Sequence, residues 1–191
     1  MEVWRKKGLD KVWTGKNVLE LEWSWDRKKY QKTKMKLVSS LIVGESVLDV
    51  GCGTGDLYRY LENVDYVGVD QSSDMLFRAE QRNPSAKFIQ KNIYELELPP
   101  YDTVVCLDVL HHLPDLEPAF SILLEHARKC LIVTLWINDR DEHHIRQEIG
   151  DRGEIVTWFT EEELEKKFSG LNYEVYERVG CPWKDLYRFL M

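Results

Sequence analysis

The 191-residue sequence has only four cysteines, Cys52, Cys106, Cys130 and Cys181, and no CxxC pair. That spacing excludes a disulfide framework and zinc-finger ligation, and it makes a reducing cytoplasm the expected setting. Nowhere is there an apolar run near the ~18 residues of a membrane span, so an integral membrane protein is not expected. Residues 1–20 carry Arg5, Lys6, Lys7, Lys11 and Lys16 without the apolar stretch of a signal peptide. Internal repeats and low-complexity linkers are missing too, as is a GxxxxGK phosphate loop. What remains is one domain (1–191), long enough to bury about two-thirds of its surface on folding.

The net charge is −7, and it is unevenly spread. Residues 1–36 hold eleven Lys/Arg against five Asp/Glu, and the rest of the chain is acidic. An acidic body repels phosphate, which argues against non-specific nucleic-acid binding. The run Arg27-Lys28-Lys29-Tyr30-Gln31-Lys32-Thr33-Lys34-Met35-Lys36 has six cations and no acid. Its plainest reading is a solvated helix face, with a phosphate or carboxylate substrate as the alternative. Trp4, Trp13, Trp23 and Trp25 crowd the same arm, and disordered tails are poor in aromatics, so residues 1–40 are expected to cap the body.

From residue 46 onward, β-branched runs alternate with helical patterns. Strands are predicted at Val47–Val50, Tyr66–Asp70, Lys87–Gln90, Thr103–Leu107, Leu131–Ile137, Tyr173–Val179 and Leu186–Leu190. Leu57, Tyr60 and Leu61, and then Phe120, Leu123 and Leu124, fall at helical i, i+3, i+4 spacing. Thr160-Glu161-Glu162-Glu163 reads as a capping box opening a helix over Glu161–Phe168. The alternation implies an α/β, mostly parallel sheet with crossover helices. The last two strands are joined around Cys181-Pro182, a link so short that it permits only an antiparallel pair. Asn138–Phe159 reads as one long irregular connection, a candidate lid or substrate loop.

The chemistry concentrates in Val47-Leu48-Asp49-Val50-Gly51-Cys52-Gly53-Thr54-Gly55-Asp56, a buried strand running into a turn with three glycines. Glycines there let the chain turn sharply and let a ligand approach the backbone. A dinucleotide fingerprint would place a third glycine at position 56, which is Asp. Asp49, two residues before the first glycine, would repel a pyrophosphate but suits a ligand bearing an ammonium group. S-adenosylmethionine (SAM) has an α-ammonium, a sulfonium and no phosphate. Asp70, nineteen residues after Gly51, ends the second strand where an acid can accept both ribose hydroxyls, which fits any adenosine ligand.

Through VLDVGCGTG (47–55), YVGVD (66–70), NIYELELP (92–99) and YDTVVCLDVLHHLPD (101–115), residues 40–191 resemble the class I SAM-dependent methyltransferases. The resemblance implies a single Rossmann-like seven-stranded sheet, mostly parallel with an antiparallel last strand and helices on both faces. It implies that Asp49 serves the methionyl ammonium while Gly51, Cys52, Gly53 and Gly55 form the cofactor loop. Asp70 would hold the ribose, and Gln71, Met75, Asn92 and Ile93 would surround the adenine. Leu107 would offer its carbonyl to the ammonium. Asn92 stands where many members have Asp, and Arg128-Lys129-Cys130 where members often have Pro-Gly-Gly.

His111 and His112 follow the fourth strand at the edge where α/β sheets hold ligands, and an imidazole suits general-base work at neutral pH. The competing role is to shape the pocket, since similar strings occur across methyltransferases with unrelated substrates. His143-His144, without a third ligand nearby, read as a solvated loop and not as a metal site. Trp23, Trp25 and Tyr30 are candidates to cover an acceptor, and one cation of Lys28–Lys36 to neutralise the cofactor's carboxylate. The expected activity is methyl transfer from SAM to a small molecule, releasing S-adenosylhomocysteine. The alternatives are a tRNA-modifying enzyme, suggested by DVLHHL and Trp136, and a non-catalytic SAM-binding subunit. A dehydrogenase is disfavoured by Asp49 and Asp56.

Overall fold

The computed structural model describes residues 13–15, 18, 29–138, 146–150, 153–177, 179 and 184–191. Helix α1 (Lys29–Leu41) leads into β1 (Ser46–Val50), followed by a 3-10 turn at Leu57–Tyr60 and β2 (Asp65–Asp70). Then come α2 (Ser73–Arg82), β3 (Lys87–Gln90), β4 (Tyr101–Cys106), α3 (Leu116–His126) and β5 (Ala127–Trp136). β6 (Arg146–Ile149), β7 (Ile155–Trp158), α4 (Glu161–Lys167), β8 (Tyr173–Tyr176) and β9 (Lys184–Leu190) complete the chain.

Seven strands form one sheet in the order β3-β2-β1-β4-β5-β9-β8. β1 to β5 pair in parallel, whereas β9 runs antiparallel to both β5 and β8. This is the Rossmann-like α/β sheet with an antiparallel last strand that the sequence implies. The connections leave β1 in one direction toward β2 and β3, and in the other toward β4 and β5. A crevice therefore opens at the carboxyl edge between β1 and β4, the switch point where such sheets bind ligands.

Strand alternation divides the core. Leu48, Val50, Val104, Cys106, Leu131 and Val133 face Leu116, Phe120 and Leu123 of α3 and Leu164 of α4. Val47, Val105 and Ile132 face Met35 and Val38 of α1 and Leu57. Asp49 has the parity of Val47, so its carboxylate lies on the α1 side. The capping box is formed: Thr160 Oγ1 accepts from Glu163 N, and the Glu163 carboxylate accepts from Thr160 N.

Three expectations need correcting. Asn138–Phe159 is not one irregular connection, because Arg146–Ile149 and Ile155–Trp158 pair as antiparallel strands, and Gly153 N donates to Gly150 O. The Leu57, Tyr60, Leu61 stripe forms a four-residue 3-10 turn and not an α-helix. The basic run is not simply a solvated face: Lys32 and Lys36 are exposed, but Gln31, Lys34, Met35 and Val38 form a buried i, i+3, i+4, i+7 stripe. Trp4, Trp23, Trp25, His143, His144 and Cys181 lie outside the described residues. Among the described residues no helix is long and apolar enough to cross a membrane.

Candidate active site

The strand ends open into one cavity of about 660 Å³. It is lined by Asp49, Gly51, Cys52, Gly53, Asp70, Gln71, Met75, Asn92, Ile93, Leu107, His111 and His112. Of the cofactor-site and histidine candidates read from the sequence, all but Gly55 are in this lining. Gly55 adopts φ +73, and a Cβ there would sit 2.8 Å from Asn83 Nδ2 and 2.9 Å from Phe88 Cζ. Its carbonyl also accepts from Asn83 Nδ2. It packs the back of the loop against the end of α2.

Gly51 does form the cavity wall, at φ +74, where a Cβ would lie 2.2 Å from Val109 Cγ2. The backbone amides of Gly51 and Cys52 both donate to Val69 O, which ties the loop to the end of β2. Gly53 N donates to Asp70 Oδ2 and Ser72 N to Asp70 Oδ1, each at 2.9 Å. Every carboxylate oxygen keeps a second lone pair, so Asp70 can still accept two hydroxyls. Burial raises its pKa against the pull of these amides. Asn92 Nδ2 donates to Gln71 Oε1 at 3.2 Å, so two of the expected adenine neighbours hold each other.

Asp49 is buried and accepts a 2.8 Å hydrogen bond from the Tyr66 hydroxyl, across the β1–β2 pair. Burial, opposed by that hydrogen bond and reinforced by Asp70 and Asp56, lifts its pKa to about 7. A buried carboxylate with one donor and a raised pKa is poised to meet a cation. Burial and the carboxylates of Asp70 and Asp49 push the Cys52 thiol well above its usual range, so it stays protonated.

A pyrophosphate fits poorly here. The loop runs into a four-residue 3-10 turn, which offers little helix dipole, and its flanks are Asp49, Asp56 and Asp70. Nearby Arg82 is already paired with Asp56 at 2.8 Å.

Another part of the cavity wall is built by Asp108 and Lys184, which the sequence did not single out, together with Lys34, Trp136 and the two histidines. Asp108, at φ +58 just beyond β4, is held by its own amide donating to Thr134 Oγ1 at 2.7 Å. Its two oxygens meet Lys34 Nζ of α1 at 2.5 Å and Lys184 Nζ of β9 at 2.7 Å. Burial alone would raise the Asp108 pKa, but these two ammonium groups outweigh it and hold the carboxyl well below its ordinary range. His111 stacks on Trp136 at 4.5 Å between ring centres and is fully buried. Burial and the neighbouring His112 keep it neutral. His112 Nδ1 lies 2.7 Å from the Ile155 carbonyl, to which it must donate, leaving Nε2 as the acceptor nitrogen. Burial lowers its pKa as well, against that hydrogen bond.

Among the described residues of the arm, several lie against the site. Trp13 packs on His112 at 5.1 Å and lines the cavity with Tyr30. Its carbonyl accepts from Ser72 Oγ, and Gly15 N donates to Asp74. A helical stripe through Gln31, Lys34, Met35 and Val38 was the available signal for Lys34. Lys184 had none, because only the β5–β9 register brings it to Trp136.

A family model described as a methyltransferase domain matches residues 23–178. The ubiquinone biosynthesis O-methyltransferase of Psychrobacter cryohalolentis is 26% identical over 214 residues, spanning 97% of this chain and 82% of that protein. The sugar N-methyltransferase KedS8 from Streptoalloteichus superimposes with a TM-score of 0.70 at 21% identity, covering 90% of this chain and 92% of that one. SAM-bound CalS10, an amino pentose methyltransferase from Micromonospora echinaspora, gives 0.69 at 16%, covering 93% and 98%. The fold and the acid-lined glycine loop are those of a class I SAM-dependent methyltransferase. The chain belongs to the methyltransferase-domain family, and it is an enzyme of that class.

Proposed function

We propose that the protein transfers the methyl group of SAM to a small-molecule acceptor bound between the glycine loop and Trp136. The observation that carries this is the pair of carboxylates, buried Asp49 and half-buried Asp70, at adjacent strand ends in one cavity with the Gly51–Gly53 backbone. In this reading Asp49 and the Leu107 carbonyl take the α-ammonium, and Asp70 takes the ribose hydroxyls. Gln71, Met75, Asn92 and Ile93 flank the adenine. When bound, SAM supplies a methyl on a sulfonium sulfur; an acceptor lone pair takes the methyl carbon as the C–S pair returns to sulfur.

The chain's own work is to align the two partners and to keep water out, which Trp13, Tyr30 and Met35 favour by closing the α1 side. His112 Nε2 is the candidate proton acceptor, but an imidazole with a lowered pKa is a weak base. An acceptor already nucleophilic at neutral pH suits it best. The free thiols of Cys52, Cys106 and Cys130 support a cytoplasmic setting.

Calorimetric titration with SAM, S-adenosylhomocysteine and NAD tests the reading on the wild type and on Asp70→Ala. Binding of both sulfur ligands, weakened by the substitution and absent for NAD, is expected. Failure of both sulfur ligands to bind the wild type would overturn it.

A further inference from the structure

Lys184 has no part in this scheme, and its position is unusual for a lysine. It opens β9, where the antiparallel register sets it opposite Trp136. Its side chain is 8% exposed, it lines the cavity, and its Nζ lies 5.6 Å from the Trp136 ring centre. Lysines are almost never so deeply buried without a partner. Asp108 is one partner, but its other oxygen is already taken by Lys34, and Thr134 Oγ1 donates to the oxygen that faces Lys184. An ammonium has three donors, of which Asp108 takes one while the indole face contributes only cation–π attraction.

On the same indole stacks His111, fully buried, with neither ring nitrogen hydrogen-bonded among the described residues. A buried imidazole left so is costly unless a ligand completes it. The other carboxylates lining this cavity stand elsewhere: Asp49, Asp56 and Asp70 at the glycine loop, and Glu154 within electrostatic range of His112. Lys184 and His111 thus bring unspent donors to one tryptophan in the cavity wall.

We propose that Lys184 and His111 form an oxyanion-binding corner that holds a carboxylate or phosphate of the methyl acceptor, making small acids the substrate class. This rests on the methyltransferase reading. The anchored acid need not be the reacting atom; it fixes the acceptor's orientation relative to the cofactor. The same chemistry would suit the cofactor's own methionyl carboxylate, so the test separates the two.

Calorimetry is run on the full chain, as wild type, Lys184→Met, Lys184→Arg and His111→Phe. S-adenosylhomocysteine is titrated first, alongside 5′-methylthioadenosine, which lacks the amino-acid part. The protein saturated with S-adenosylhomocysteine then receives benzoate against benzamide, glutarate against glutaramide, and glucose 6-phosphate against glucose. At least one anion is expected to bind about tenfold or more tightly than its neutral counterpart. Lys184→Met should erase about tenfold of that preference, the scale of a lost charge-assisted hydrogen bond, and Lys184→Arg should keep most of it. His111→Phe, which preserves the ring stack, should lose several-fold. Unchanged binding of S-adenosylhomocysteine certifies each variant's fold.

The proposal is overturned if the wild type prefers no anion, or if the preference survives both Lys184→Met and His111→Phe. It also falls if Lys184→Met weakens S-adenosylhomocysteine but not 5′-methylthioadenosine, since Lys184 then serves the cofactor. A wild type that binds neither nucleoside would instead defeat the methyltransferase reading.

Discussion

Asp49 has to be an anion for its proposed task, yet its surroundings favour the acid. Its pKa near 7 in the folded chain, against 3.8 as a free side chain, means that folding takes up a proton over that interval. Stability from this group is complete below pH ~4 and is lost as pH rises through about 7, a cost on the order of 4 kcal/mol once ionised. Asp49→Asn keeps an acceptor for the Tyr66 hydroxyl and removes the buried charge. It should raise the melting temperature of the unliganded protein, more at pH 8 than at pH 5, while weakening S-adenosylhomocysteine at least about tenfold. Differential scanning calorimetry and titration together check this. Ligand binding has the opposite pH sense. Below pH 7 the ammonium must displace a proton from Asp49, so affinity should fall about tenfold per pH unit. Above pH ~8 an ordinary α-amino group loses its own proton, so affinity should peak between these limits. Titrations from pH 5.5 to 9 would show a bell; a flat profile would contradict the role given to Asp49.

Most elements of the sheet were legible because their cause is local. Val47–Val50, Tyr66–Asp70 and Leu131–Ile137 are β-branched or apolar runs that no helix would prefer, and Thr160 with Glu163 marks its helix by side-chain reach alone. Thr160→Ala should cost about 1 kcal/mol in chemical denaturation, the usual worth of such a cap. The β6–β7 hairpin was not legible, because Arg146–Ile149 is mostly polar and its pairing is set by Ile155–Trp158, six to twelve residues later. The site divides in the same way. The carboxylates and glycines of the loop were readable, since their spacing within one strand–turn unit is their chemistry. Lys34, Asp108 and Lys184 meet only because α1, β4 and β9 converge; the helical stripe marks Lys34 as inward-facing, but nothing local to Asp108 or Lys184 announces the meeting. Val38, fully buried between α1 and the sheet, anchors that convergence. Val38→Ala should lower stability by roughly 1–3 kcal/mol and should weaken the closure of α1 over the cavity, read as faster exchange of the α1 amides.

At the scale of the molecule, the acidic body and the basic helix are less separate than the composition suggests. One lysine of that helix is spent inside, on Asp108, while Lys32 and Lys36 remain exposed. The order of the sheet adds a constraint of another kind. β9 lies between β5 and β8, so residues 184–190 fill an interior place in the sheet although every other strand precedes them in the chain. During synthesis on the ribosome, β5 must wait with one edge unpaired until that segment emerges. Exposed edges of this sort invite pairing with other chains. A nascent chain halted before Lys184 should therefore be captured by chaperones or aggregate, and limited proteolysis of stalled chains would find β5 unprotected. The strand that ends this hazard also delivers Lys184, so on the ribosome the anion corner exists only after the sheet is sealed.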